Sequence, residues 1–354
     1  MMHIPHSRPT LGDPEANRAR QTILSGMVAQ GPEVEKFETA FARKFQTKHG
    51  AAVSSGTAAL HLVLLSLGVG SGDEVIIPSY VCAALLHAVH HAGATPVPAD
   101  IEADSYNLDP TDVRRRITAR TKALVVPHLF GRPANLDSLG ELGIPIIEDC
   151  AQAAGGTLNG RPLGTFGKAA VFSFYATKVM TTGEGGMVIS DSPSLIDHIK
   201  DLRDYDNRPS YAVRYNYKMT DLEAALGLSQ LERLDDFIRC RRTIAEAYDR
   251  ALASTGLSLP RPHPGHIYFR YVIDLPGAGK IREKMQLEGI ACEKPVFRPL
   301  HRYLGLSGYP RSDTAWERAL SIPIYPALTN PELDYIIEKL KSIYGGSGND
   351  EALS

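Results

Sequence analysis

Residues 164–190 read GTFGKAAVFSFYATKVMTTGEGGMVIS, and their reading decides the fold. An apolar run over Ala170–Phe174 is followed by Lys178, five positions after Ser173, then by Gly183, Gly185 and Gly186, and by a second apolar run over Met187–Ser190. Two short apolar runs rich in Val, Ile or Phe and separated by glycines predict buried strands. A lysine at the exit of such a strand can sit in a partly desolvated pocket. Desolvation lowers the ammonium pKa and frees a neutral amine to attack an aldehyde. A neighbouring Ser hydroxyl and backbone amides can hold a phosphate at the same place. From Lys178 alone, a surface lysine in a glycine-rich turn is the better reading.

Outward from this stretch, further strands are expected at Ala51–Ser54, Glu74–Pro78, Thr95–Asp100, Ala123–Pro127 and Pro145–Asp149. Helical patterns lie at Thr57–Leu67, Val81–Ala92, Pro110–Ile117, Leu136–Leu142 and Pro193–Arg203. Strand, crossover helix and next strand in succession predict an α/β fold with a mostly parallel seven-stranded sheet covered by helices on both faces. The segment Thr220–Ala251 reads as one long amphipathic helix. A strand at Tyr268–Leu275 and helices at Ile281–Glu288 and Glu332–Tyr344 follow. The expected division is an N-terminal arm with a large α/β domain over 1–235, a small C-terminal α+β domain over 236–345, and a flexible tail over 346–354.

Two further pieces carry chemistry. In PIIEDCAQ (145–152) an apolar strand ends in Glu148-Asp149, which places carboxylates at the carboxyl edge where open α/β sheets bind ligands. A buried Asp there can face a protonated pyridine nitrogen, and a metal-binding or merely solvated loop end fits as well. Ser54-Ser55-Gly56-Thr57 precedes a helix. These residues cap it and can cup a phosphate with free amides and the Thr57 hydroxyl.

Composition excludes several classes. The chain has 354 residues, with 38 Lys plus Arg against 40 Asp plus Glu, for a formal charge of −2. A dedicated nucleic-acid binder would show a basic excess, so none is expected as partner. Cys82, Cys150, Cys240 and Cys292 form no CxxC pair, which argues against a disulfide framework or zinc site, so no metal is expected and a reducing, cytoplasmic compartment is. MMHIPHSRPT lacks the apolar core of a secretory signal, and no apolar run is long enough to span a bilayer.

Seven strings in order resemble the DegT/StrS sugar aminotransferases, fold-type-I enzymes dependent on pyridoxal 5'-phosphate (PLP). They are SGTAAL (55–60), VPHLFG (126–131), IIEDCAQ (146–152), FSFYATK (172–178), GEGGM (183–187), RYNYKMTDLEAALGLSQL (214–231) and RPLH (298–301). The resemblance implies that Lys178 holds the cofactor as a Schiff base and then shuttles the proton of the reaction. It implies that Asp149 faces the pyridine nitrogen, that Gln152 lies beside the ring near its phenolic oxygen, and that Gly56, Thr57 and Ser173 bind the phosphate. Asn216 is expected to reach the cofactor phosphate of a neighbouring subunit, which makes the enzyme a homodimer with shared sites. Lys218, Arg298 and His301 are the expected substrate contacts. Where many relatives stack an aromatic ring on the cofactor, this chain has Cys82, so either Cys82 packs there or Tyr80 or another residue takes the ring's place. The implied reaction moves an amino group from an amino acid, by family habit glutamate, to a keto-sugar, most often nucleotide-linked. Amination of a keto-cyclitol without a nucleotide, or a catalytically inactive PLP-binding regulatory protein, are the competing readings. Relatives that act as dehydratases carry His in place of the lysine, so Lys178 favours transamination.

Overall fold

The computed structural model describes residues 2–350, with side chains through residue 345. Its strands are β1 (His49–Val53), β2 (Glu74–Pro78), β3 (Thr95–Ala99), β4 (Thr121–Pro127), β5 (Ile146–Asp149), β6 (Thr157–Leu158), β7 (Arg161–Pro162), β8 (Ala169–Ser173), β9 (Gly186–Ser190), β10 (Tyr271–Asp274) and β11 (Ala319–Ile322). Seven of them form one sheet in the order β1-β9-β8-β5-β4-β2-β3. Neighbours from β8 across to β3 are parallel. Only β9 runs against its neighbours β8 and β1. Each of the seven runs marked in the sequence is one of these strands.

The runs are apolar because both sheet faces are covered. Alternate residues part to opposite sides. Val75, Ile77, Val125, Ile147 and Val171 pack with helix Gly56–Ser66. Ile76, Leu124, Val126, Ala170 and Phe172 pack with Phe37 and Phe41 of helix Pro32–Lys44. The parallel strands therefore end together, and Asp149 of β5 and Ser173 of β8 finish at the same sheet edge.

The stretch expected as one helix from Thr220 is two, Asp221–Glu232 and Leu234–Leu252. Arg233 breaks the first, with φ −99° and ψ −1°. A pattern of apolar spacing persists across such a break and does not reveal it. The second helix begins in the sheet's core through Leu234, Phe237 and Ile238. It continues in a separate core through Ile244, Tyr248 and Leu252, with Tyr271, Met285 and Ile336. The antiparallel pair β10–β11 lies in that second core. The N-terminal arm joins it too: Ile4 N–H donates to the Gly289 carbonyl and Ala291 N–H to the Ile4 carbonyl, both at 2.9 Å. The last helix spans Asn330–Asp350, so its backbone enters the stretch expected as tail, and residues 351–354 lie outside the described residues. No helix among the described residues is long and apolar enough to cross a membrane.

Candidate active site

A cavity of 270 Å³ opens at the carboxyl edge of the sheet, lined by Ser55, Gly56, Thr57, Cys82, Asp149, Ser173 and Lys178 among others. Helix Gly56–Ser66 starts here. Ser55, in extended backbone, caps it by accepting from Ala58 N–H at 3.1 Å. The first-turn amides of a helix lack internal acceptors and suit an anion. Gly56 is required by proximity: a Cβ at this position would come within 2.8 Å of Ser173 Cβ. The helix start and the end of β8 are thus pressed together, with the Ser173 hydroxyl beside Gly56 and Thr57.

Lys178 rides on the loop from β8 to β9. The loop is closed by a bridge between Tyr175 and Gly183, by Thr182 N–H donating to the Phe174 carbonyl at 3.0 Å and by Lys178 N–H donating to the Tyr175 carbonyl at 2.8 Å. Gly185 turns the chain back with φ +138°, a region closed to other residues. The Lys178 ammonium lies 5.3 Å from the centre of the Phe269 ring. Burial pushes its pKa below the usual lysine range and the Arg270 charge pushes the same way, while Cys82 and Asp149 oppose them.

Asp149 is buried, and its Oδ1 accepts from Ala151 N–H at 2.9 Å. Burial pushes its carboxyl pKa up, against the pull of that amide, Lys178 and His128. In the same cavity, burial thus works against the charged form of both groups, the carboxylate of Asp149 and the ammonium of Lys178.

Glu148, the other acid of the strand end, does not join the cavity. It is fully buried and serves as an anchor. Its oxygens accept from Phe166 N–H at 2.6 Å, Gly164 and Gly167 N–H at 2.8 Å each, and His128 Nε2 at 3.1 Å. His128 Nδ1 accepts from Ala134 N–H at 3.0 Å, which assigns the ring proton to Nε2. Burial pushes the Glu148 pKa up, but the His128 and backbone hydrogen bonds outweigh it and hold the group below its usual range.

The remaining expected residues divide. Cys82 borders the cavity with surface open to it. The protein packed round the cavity walls still pushes its thiol pKa up, with the Lys178 charge opposing. Gln152 does not line the cavity; its Oε1 accepts from Phe130 N–H at 2.9 Å. Asn216 is exposed and outside the cavity of its own chain. Lys218 is also outside it, because its ammonium is held by Asp204 and Asp206 at 2.8 Å each.

His301, expected at the substrate, is buried instead. Nδ1 lies 2.6 Å from Ser79 Oγ, Nε2 lies 3.2 Å from Asp313, and the ring stacks on Tyr309. It joins the helix Leu300–Tyr303 to Ser79 at the end of β2, a long-range contact that sequence spacing does not announce. Arg298 lines a different cavity. The sequence reading did not single out Tyr175 and Glu184, which line the cavity, or Phe269 and Arg270, which act on Lys178. The last pair leads into β10 (Phe269-Arg270-Tyr271), where a strand pattern shows only that residues alternate.

The sequence profile of the DegT/DnrJ/EryC1/StrS aminotransferase family matches residues 9–341. GDP-perosamine synthase of Vibrio cholerae is 35% identical over 370 residues, covering 96% of this chain and 99% of that protein. The spore coat polysaccharide biosynthesis protein SpsC of Bacillus subtilis is 36% identical over 381 residues, covering 97% and 98% respectively. Among solved structures, the aminotransferase TlmJ from Streptoalloteichus hindustanus matches with a TM-score of 0.93 at 31% identity, covering 98% of this chain and 100% of that chain.

Proposed function

Because this chain belongs to the DegT/DnrJ/EryC1/StrS aminotransferase family, a family of PLP-dependent enzymes, we propose that it moves an amino group from glutamate to the keto group of a nucleotide-linked sugar. The observation that carries this reading is that Lys178 and Asp149 share one cavity with the helix start at Gly56-Thr57 and the Ser173 hydroxyl.

The cavity fits PLP on its own chemistry. A buried carboxylate raised by desolvation calls for a cation beside it, an amine depressed by burial is ready for a carbonyl, and a glycine-tight helix start offers amides to a phosphate. Bound there, the cofactor supplies the carbonyl that receives the amino group and the conjugated ring that draws electrons from the reacting carbon. Lys178 anchors it and, when free, carries the proton to and from the reacting carbon. Asp149 holds a proton on the ring nitrogen. Gly56, Thr57 and Ser173 would fix the phosphate and Cys82 would face the ring, while Gln152, outside the cavity lining with its Oε1 taken by Phe130 N–H, would turn its amide donors toward the phenolic oxygen.

Asn216 acts across a homodimer, each subunit completing its partner's site. The exposure of Tyr211 (96%) and Val213 (64%) beside Asn216 supports a covered surface there. Asn216→Ala is expected to weaken PLP retention, and unchanged affinity would remove the cross-subunit role. Four unpaired cysteines support a cytoplasmic setting.

The test is spectroscopic. Purified yellow protein should lose its colour on adding glutamate and regain it with a nucleotide-linked keto-sugar. Borohydride should fix the cofactor on wild type and not on Lys178→Ala. Amination of a keto-cyclitol in place of the nucleotide sugar, or protein that PLP cannot colour, would overturn the reading.

A further inference from the structure

Three cations share the buried Phe269 ring. The Lys178 ammonium lies 5.3 Å from its centre, the Arg270 guanidinium 5.4 Å and the Arg241 guanidinium 6.0 Å. Arg241, on the helix Leu234–Leu252, is tied to carbonyls: its Nη1 donates to Tyr268 at 3.3 Å, to Phe269 at 3.1 Å and to Ile324 at 2.9 Å. It pins the approach to β10, where Tyr268 is held at φ +51°, and so fixes the Phe269 ring. Arg270 is held differently. Among the described residues it has no carboxylate at ion-pair distance, and its one side-chain partner is His6 of the N-terminal arm. Arg270 Nη1 lies 3.2 Å from His6 Nδ1 and 3.1 Å from Nε2. His6 Nε2 also lies 2.8 Å from the Ser321 hydroxyl of β11.

Burial first, then the Arg270 and Arg241 charges, lower the His6 pKa to about 3, so the ring is neutral at ordinary pH. A neutral imidazole has one donor and one acceptor. Nε2–H given to Ser321 leaves the Nδ1 lone pair for the guanidinium. The backbone pairing of Ile4 with Gly289 and Ala291 keeps the ring in place. A charged guanidinium with only a neutral acceptor is an exposed field source in a dry site. The groups facing Lys178 are Cys82 and Asp149, which favour a proton on its nitrogen, and Arg270, which opposes one; Tyr175 and Glu184 line the same cavity. The groups facing Arg270 besides His6 are Glu293, Tyr80 and Cys82. We propose that His6 is a positioning residue for Lys178: it keeps the Arg270 guanidinium on the ring that Lys178 shares, so the N-terminal arm governs how readily the lysine nitrogen sheds its proton. The inference takes the role of Lys178 from the reading above.

The full chain, freed of PLP, is acetylated with acetic anhydride from about pH 6 to 11, and mass spectrometry follows the Lys178 peptide. Only the neutral amine reacts, so the midpoint belongs to Lys178 alone. Arg270→Met should raise that midpoint by about one pH unit, because a like charge is removed, and Arg270→Lys should raise it less. His6→Ala should raise it in the same direction. His6→Gln should restore the wild-type value, since its amide oxygen can accept from Arg270 while its NH2 donates to Ser321. In an Arg270→Met background His6→Ala should add nothing. If His6→Ala lowers the melting temperature and leaves the Lys178 midpoint at its wild-type value, His6 only anchors the arm and the proposal is refuted. A shift that persists undiminished in the Arg270→Met background refutes the route through Arg270. Should His6→Ala fail to fold, an unmoved midpoint in Arg270→Met refutes the proposal by itself. Unmoved midpoints in a protein that transaminates overturn this inference alone, whereas protein that PLP cannot colour overturns the role of Lys178 and the inference with it.

Discussion

Replacing Glu148 by Gln should damage stability far more than chemistry, although Glu148 adjoins Asp149. The carboxylate is fully buried and takes four hydrogen bonds, three from backbone amides and one from His128. An amide of the same shape keeps one oxygen. Its NH2 end meets two donors whichever way it turns, so two bonds are lost and two buried donors are orphaned. Hydrogen bonds to a charged group contribute about 1.5–3 kcal/mol each, which makes the expected loss about 3–6 kcal/mol, a large part of a total near 5–15 kcal/mol. The pH dependence has a definite sign. The folded pKa of Glu148 lies below its unfolded value, so its contribution is complete above the unfolded pKa and is lost as pH falls through the folded one. Urea unfolding of wild type and Glu148→Gln, run at neutral pH and again near pH 4, measures both effects. A loss under about 1 kcal/mol at neutral pH would refute the anchoring role. So would a variant that falls off in acid as steeply as wild type.

Asp149→Asn should fold normally, because Asn removes a buried charge, yet slow the colour loss with glutamate by about 100-fold or more; near-normal rates would dismiss its role at the ring nitrogen. Gly56→Ala forces a Cβ to within 2.8 Å of Ser173 Cβ, and such overpacking costs about 1–3 kcal/mol. Its PLP affinity should drop with its melting temperature, and an unaltered PLP titration would contradict the tight cup. His266 is buried and its pKa is lowered to about 3, by burial first. Its folded pKa lies below the unfolded value, so stability should fall as pH drops below about 6.5, by about 1.4 kcal/mol per pH unit. His6, lowered to about 3 by burial first, adds a slope of the same sign, so His266→Asn should reduce the acid slope in urea midpoints between pH 7 and 5 without abolishing it.

The sheet was readable because a strand covered on both faces must be apolar, and β2 and β4 leave no other interpretation. Lys178, Asp149, Gly56, Thr57 and Ser173 were grouped through the family resemblance, and they meet in one cavity because the parallel strands end at one edge. What was not readable depends on pairings made across the chain. Whether Lys218 is free or held depends on Asp204 and Asp206 folding back onto it. Whether His301 reaches a substrate depends on Ser79, 222 residues away. Glu148 and Asp149 are adjacent acids with opposite fates, and only the loop at Gly164–Gly167 decides which is the anchor. Arg233 ends a helix inside an unbroken amphipathic pattern, since apolar spacing records which face is buried and not where the axis bends.

The pairing of β1 with β9 also governs the order in which the protein can be completed as it is made. Val53 lies opposite Gly186, Ser55 bridges to Gly185, and Ser54 N–H waits for the carbonyl of Tyr217 at 2.8 Å. The first strand synthesised therefore has no neighbour in its own half of the sheet. A nascent chain shorter than about 190 residues has Thr57 but not the β9 strand that joins β1 to β8 and sets Thr57 against Ser173. Long-range closure of this kind is slow and leaves apolar edges open meanwhile. The anion cup near the amino terminus thus waits for the chain to reach Ser190, and a chain stopped ahead of Gly186 lacks the strand that seats it.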